Sequence, residues 1–167
     1  MELFFGGIGT MKKENPLKKE YVLARDTVQL QAVDTVSLSA TKIKPITSQH
    51  REIALALHKE LPKVKQGSNV LRGVVRAEVR VLDESKNCCA ILNVVQMGIF
   101  KAMEEIDDDE FYHRVDLQLV PQLISYVRSS VSILAAETGL APLMLPTMDI
   151  LKSIRNNKKA DCKDGEK

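Results

Sequence analysis

The sequence predicts a small α+β fold, an antiparallel sheet packed against one long helix, and three runs of residues carry that expectation. Residues 71–81 place Leu71, Gly73, Val75, Ala77, Val79 and Val81 on one side and Arg72, Arg76, Glu78 and Arg80 on the other, the period of two that marks a half-buried strand. Residues 88–100, CCAILNVVQMGIF, are apolar on both alternating faces, with Asn93 the one polar interruption inside the run of aliphatics. Residues 120–134 carry Val120, Leu123, Ile124, Val127, Val131 and Leu134 in a stripe of helical period. A strand apolar on both faces, followed by a single amphipathic helix, has more apolar surface than one chain can cover. That surplus points to assembly or to apolar ligands.

The remaining elements follow in order. Over 28–40 the even positions (Val28, Leu30, Ala32, Asp34, Val36, Leu38, Ala40) alternate with Gln29, Gln31, Val33, Thr35, Ser37 and Ser39, which predicts another half-buried strand. A connector over 42–49 contains Pro45, and 50–61 (HREIALALHKEL) suits a strand or a helix equally. Pro62 and residues 66–69 (QGSN) mark a turn, and the polar loop 83–87 lets the run from Cys88 return as a hairpin partner of 71–81. In the acidic stretch 104–110 (EEIDDDE), Asp108 or Asp109 is expected to cap a short helix through Phe111 and Tyr112, with Pro121 in the first turn of the separate main helix. Gly139 is the expected helix stop, and 148–154 a last short helix.

Composition bounds the function classes. A chain of 167 residues with 44% apolar content suits one domain with its own core. With 24 Lys and Arg against 22 Asp and Glu, the net charge of +2 asks for neither nucleic acid nor a membrane surface. No stretch approaches the 18 or so consecutive apolar residues of a membrane span. Cys88, Cys89 and Cys162 form no disulfide framework and no zinc pattern, which fits a reducing, cytoplasmic setting. Residues 1–20 read as a flexible N-terminal extension, of which 1–10 are an upstream addition before an ordinary start at Met11; 21–154 read as the folded domain and 155–167 as a disordered polar tail.

Catalytic signatures are missing. His50, His58 and His113 are widely spaced, and no HExxH, GxSxG, GxGxxG or P-loop pattern occurs. EEIDDDE lacks the spacing and central glycine of a calcium loop and reads as a solvated cap. Neither a catalytic residue nor a metal or other cofactor is expected. The arginines of 72–80 and the basic end Lys152, Arg155, Lys158 and Lys159 lack interleaved aromatics and read as solvated surface.

Taken in order, the segments from about Gln29 to Ile154 resemble the SecB family of export chaperones. Residues 94–100, VVQMGIF, are similar to that family's VQQGGIF; 124–128, ISYVR, to FPYAR at the opening of its long helix; 143–145, LML, followed by Pro146 and Asp149, to LNLAPVNFD; and 52–57, EIALAL, to EVKLDL, which turns the ambiguous 50–61 toward strand. The resemblance implies a four-stranded antiparallel sheet packed with one long helix and a short C-terminal helix. It implies a cytosolic homotetramer, a dimer of dimers, that holds unfolded polypeptide or preprotein clients without ATP.

By the same resemblance Leu55, Leu57, Leu143 and Leu145 line a client groove between sheet and C-terminal loop. Val94, Gln96, Tyr126, Ser129 and Ser130 are placed at subunit interfaces. The acids by which family members dock the SecA translocation motor on the outer sheet face fall on Thr35, Ser39 and Asn93, all uncharged, and a pI near 8.4 departs from the acidic export members. A SecB-like chaperone serving a toxin–antitoxin system is therefore the nearest rival to an export role. A rival from another class is a hotdog-type acyl-thioester enzyme, which would need a carboxylate such as Asp116 beside its helix N-terminus.

Overall fold

The computed structural model describes residues 16–45, 51–140 and 142–145. His50, the opening residues 1–10, Pro146 and Asp149, the expected short helix over 148–154, Cys162 and the tail 155–167 lie outside the described residues. Helix α1 (Pro16–Thr27) leads into strand β1 (Val28–Lys42), followed by β2 (Glu52–Glu60), β3 (Val70–Leu82), β4 (Cys88–Ala102) and the long helix α2 (Asp108–Glu137). The four strands form one antiparallel sheet in the order β1-β4-β3-β2. Consecutive hairpins join β2, β3 and β4, and the connection after β1 crosses to the far edge, the order of a Greek key.

The alternation of β3 is realised as expected. Leu71, Val75, Ala77, Val79 and Val81 are buried while Arg72, Arg76 and Arg80 are exposed. In β4 one face is sealed: Ala90, Leu92, Val94, Gln96 and Phe100 are buried beneath α2, whose Val115, Leu119, Leu123, Val127 and Val131 meet them in the same core. Gly98 lies within that face because nothing larger fits. A Cβ there would stand 2.8 Å from the Phe100 ring and 3.0 to 3.1 Å from Leu30 and Leu123.

Strand β1 departs from simple alternation through two bulges, between Leu30 and Ala32 and between Thr35 and Ser37. Each bulge inserts one residue and exchanges the two faces. The pairings Leu30↔Phe100, Val33↔Gly98, Thr35↔Gln96 and Leu38↔Val94 therefore lie on the helix side, while Ala32, Asp34, Ser37, Ser39 and Thr41 share the other face with Ile99, Met97, Val95, Asn93 and Ile91. The two residues that broke the period in the sequence, Val33 and Asp34, are thereby moved to the sides that suit them.

The helices correct two expectations. The short helix through Tyr112 and the main helix beginning at Val120 are one helix of 30 residues with Pro121 inside it. The missing N–H of Pro121 removes one hydrogen bond, yet the buried stripe Phe111, Val115, Leu119, Leu123, Val127, Val131 runs straight through it, and packing on the sheet holds the helix continuous. The cap is Asp107 rather than Asp108 or Asp109, its carboxylate accepting the Glu110 N–H at 2.9 Å. At the other end Gly139 adopts φ +66°, and the Leu140 N–H closes on the Ala135 carbonyl at 2.7 Å, the helix stop that was expected.

Helix α1 was not anticipated, and it begins at Pro16, inside the stretch read as a flexible extension. It buries only Leu17, Ala24 and Thr27, and Gln118 of α2 donates its side-chain amide to the Tyr21 carbonyl at 3.1 Å. By length and composition α2 could cross a membrane, but its apolar stripe is already packed on the sheet.

Candidate functional site

Three surfaces remain after the core is built. The first runs along β2, where Ile53, Leu55 and Leu57 point to the helix side opposite Val81, Val79 and Ala77 and are half-buried because β2 is the edge strand. Leu61, Val64, Tyr112 and Leu145 are also half-buried and pack on the same core. The C-terminal segment is tied down beside them by Arg51, whose Nη1 donates to the Leu140 carbonyl at 2.7 Å.

Of the four residues expected in a groove, Leu55, Leu57 and Leu145 retain free surface, whereas Leu143 is buried in the core itself and Met144 beside it is 82% exposed. Alternation in the extended 143–145 segment turns the two leucines inward and the methionine out. Sequence reading missed the continuation of this strip. Leu61, Val64 and Tyr112, the last donating its hydroxyl to the Leu61 carbonyl at 3.5 Å, lead to an open cavity of about 480 Å³ lined by Lys63, Val64, Gln66, Asp108, Asp109 and Tyr112. No periodic signal marks that loop; only its pairing across the fold with the start of α2 makes the site.

The charges around this strip are mostly paired. Lys59 Nζ clasps both oxygens of Asp116 at 2.6 and 2.7 Å. Arg114 binds Glu110 and Glu104 at 2.7 Å each; burial draws its pKa down, but the hydrogen bonds and charges of the two carboxylates outweigh that and hold it above the ordinary value. Asp116, the carboxylate a thioester enzyme would need, thus sits in the third turn of α2, neutralised by a lysine, and offers no free base. Among the described residues no group of three or more His, Cys, Asp or Glu could hold a metal ion.

The second surface lies between β1 and α2. Val94, Gln96 and Ser130, three of the five residues expected at an interface, are buried by the chain itself. The parity of β4 turns them inward under α2, so they have little surface left for a partner. Gln96, 1% exposed, donates to Ser130 Oγ at 2.8 Å and accepts from Thr35 Oγ1 at 3.1 Å. Tyr126 and Ser129 do face outward, Tyr126 at 45% exposure, and Ile133 two turns on is 57% exposed. Leu38 and Val36 on β1 and Met103 after β4 add further exposed apolar surface.

The third surface is the outer face of the sheet. Ile91, Asn93, Val95, Met97 and Ile99 of β4 form a half-buried ridge that no described element covers, flanked by Arg72, Arg76 and Arg80 on β3 and by Asp34, Ser37, Ser39 and Thr41 on β1. Arg76 pairs with Glu60 and Arg80 with Glu78, each at 2.6 Å. Ser39 and Asn93, expected together on this face, are direct cross-strand partners here. Thr35 is not with them. The bulge at Val36 turns it to the helix side, where it binds Gln96.

No protein-family model matches the chain, and no curated protein matches it either. Among solved structures the chain is similar to the Mycobacterium tuberculosis Rv1957 SecB-like chaperone in complex with a ChAD peptide from the Rv1956 HigA1 antitoxin. The match has a TM-score of 0.68 at 15% sequence identity and covers 80% of this chain and 100% of that one. The similarity first read from VVQMGIF, ISYVR and LML therefore extends to the whole architecture, a four-stranded antiparallel sheet with helices on one side, and this chain has the SecB-like fold.

Proposed function

We propose that the chain is a holdase chaperone, not an enzyme, which binds unfolded polypeptide in the cytoplasm without ATP. The observation that carries this reading is the open apolar strip of Ile53, Leu55, Leu57, Leu61, Val64, Tyr112 and Leu145, running from the β2 edge into the cavity at the start of α2. It occurs on the fold of a chaperone that was solved with a peptide bound. Client aliphatic and aromatic side chains would gain roughly 25 cal/mol per Å² of apolar surface buried there. The free backbone edge of β2 would add strand pairing that reads no particular sequence. Broad, modest affinity follows from many such contacts.

Assembly fits the seam between β1 and α2, where Tyr126, Ser129, Ile133, Leu38 and Val36 would be covered by another subunit of a homotetramer built as a dimer of dimers. A client-specific role beside a toxin–antitoxin pair is the second reading, favoured by the antitoxin peptide on the similar chaperone. An export role would require SecA to dock at Ser39 and Asn93, which are uncharged and whose neighbouring acid, Glu78, is paired with Arg80.

Aggregation of a chemically unfolded client, followed by light scattering, tests the reading. The chain should suppress aggregation, and Leu57→Ser with Leu145→Ser should weaken suppression at least tenfold while circular dichroism shows the sheet intact. Failure of the unmodified chain to suppress aggregation would remove the chaperone reading. Co-purification from the host separates an antitoxin client from exported precursors.

A further inference from the structure

We propose that the outer face of the sheet is a meeting surface for a second copy of this chain, two sheets packing face to face about a two-fold axis parallel to β4. This surface is separate from the client strip and from the seam. Its centre is the ridge Ile91, Asn93, Val95, Met97, Ile99, which the described part of one chain leaves half-covered. Facing sheets pack about 10 Å apart with strands nearly aligned, crossing at about 30°.

The charges select the axis. A two-fold across the strands would lay the arginine row of β3 on its own copy, Arg76 on Arg76 and Arg72 on Arg80, an arrangement of like charges. A two-fold along β4 instead lays β3 of one copy over β1 of the other and preserves height along the strands. Through the sheet register, Met97 lies level with both Asp34 and Val74, Ile99 with Arg72 and Val95 with Arg76. Asp34 of one copy therefore falls between Arg72 and Arg76 of the other. Among the described residues neither Arg72 nor Asp34 has an ion-pair partner within the chain, and both are exposed. Glu78, level with Asn93 and Ser39, would meet the Ser39 hydroxyl of the other copy, and Arg80 would meet Thr41. Lys101, exposed at the end of the ridge, is the one charge that would lie against its own counterpart.

Asn93 fits the same axis. As a residue of the central strand it lies against its own counterpart, and a primary amide is self-complementary, donor to acceptor in both directions. The one polar side chain in the ridge is thus satisfied by symmetry, and it fixes the register between the two ridges.

Charge reversal tests this on the full-length chain by analytical ultracentrifugation. Arg72→Asp and Asp34→Arg should each halve the mass, and the double variant should regain it, because the swapped pair is restored across the axis. Both positions are exposed, so the circular dichroism spectrum should match that of the unmodified chain. A mass unchanged by the single reversals, as when the face serves an unrelated protein, overturns the proposal. A double variant that stays at the halved mass overturns it too. Aggregation suppression by the client strip is expected to survive all three variants, so failure here is distinguishable from failure of the chaperone reading.

Discussion

The two faces of β4 are nearly equal in composition and unequal in fate. Leu92, Val94 and Phe100 on one side are fully buried, whereas Ile91, Val95, Met97 and Ile99 on the other remain half-exposed. The difference is coverage by α2, not hydrophobicity. A single helix can seal one side of a sheet and no more, so the second side keeps apolar area for something outside the described chain.

That contrast can be broken most directly by truncation. Leu92→Ala should cost about 2–5 kcal/mol in urea unfolding, because it opens a cavity beneath α2. Ile91→Ala next to it should cost about 1 kcal/mol, the share of a side chain only partly removed from water. Equal losses would mean that the outer face is covered within one chain. A gap that narrows as protein concentration rises would place the missing cover on a second copy.

Filling the sealed face is the next largest perturbation. Gly98→Ala pushes a methyl against the Phe100 ring, Leu30 and Leu123 and should destabilise by about 1–3 kcal/mol. A neutral result would show that this side is more loosely packed than the distances indicate. Gln96→Leu keeps the volume but strands the Ser130 hydroxyl under the helix, at a cost of about 1–3 kcal/mol that Ser130→Ala in the same chain should largely relieve. Failure of the second change to rescue the first would remove this polar pair from the account of the sealed face.

On the open face the effects should be small and dependent on pH. The hydrogen bond and charge of Arg76 hold the Glu60 carboxyl below its ordinary value. A lowered folded value means that the pair contributes above the ordinary carboxylate range and that its contribution is lost as pH falls through the folded value. The melting temperatures of the unmodified chain and Glu60→Gln should differ slightly at neutral pH and converge on acidification. A gap that persists in acid would show that something other than the ion pair sets it.

The strands were legible because their pattern is local: arginine alternating with valine in β3 can satisfy both only as a half-buried strand. The bulges of β1 leave a trace in the sequence, since Val33 and Asp34 break the alternation, but only pairing with β4 gave each residue its side. The family resemblance grouped Thr35 with Ser39 and Asn93, and the second bulge parted them. Leu55 and Leu57 alternated in a segment that suited strand and helix equally; the family resemblance turned it toward strand, and the sheet made that strand an edge. Leu143 was not legible as core, since an extended segment of three residues does not say which side will meet the sheet. The lining of the cavity by Val64 and Tyr112 had no signal at all, because the two lie far apart in the chain and only the fold joins them.

What the sequence by itself determined was three of the four strands, the amphipathic helix, the surplus of apolar surface and a resemblance in the order of segments. Periodicity and turn chemistry act over a few residues and need no partner. What only the tertiary structure decided was the continuity of α2 through Pro121, the docking of α1, the burial of Val94 and Gln96, and which face of β4 stays open. Those outcomes depend on what packs against each element across the chain, where burial under a neighbour outweighs a local propensity of about 1–3 kcal/mol.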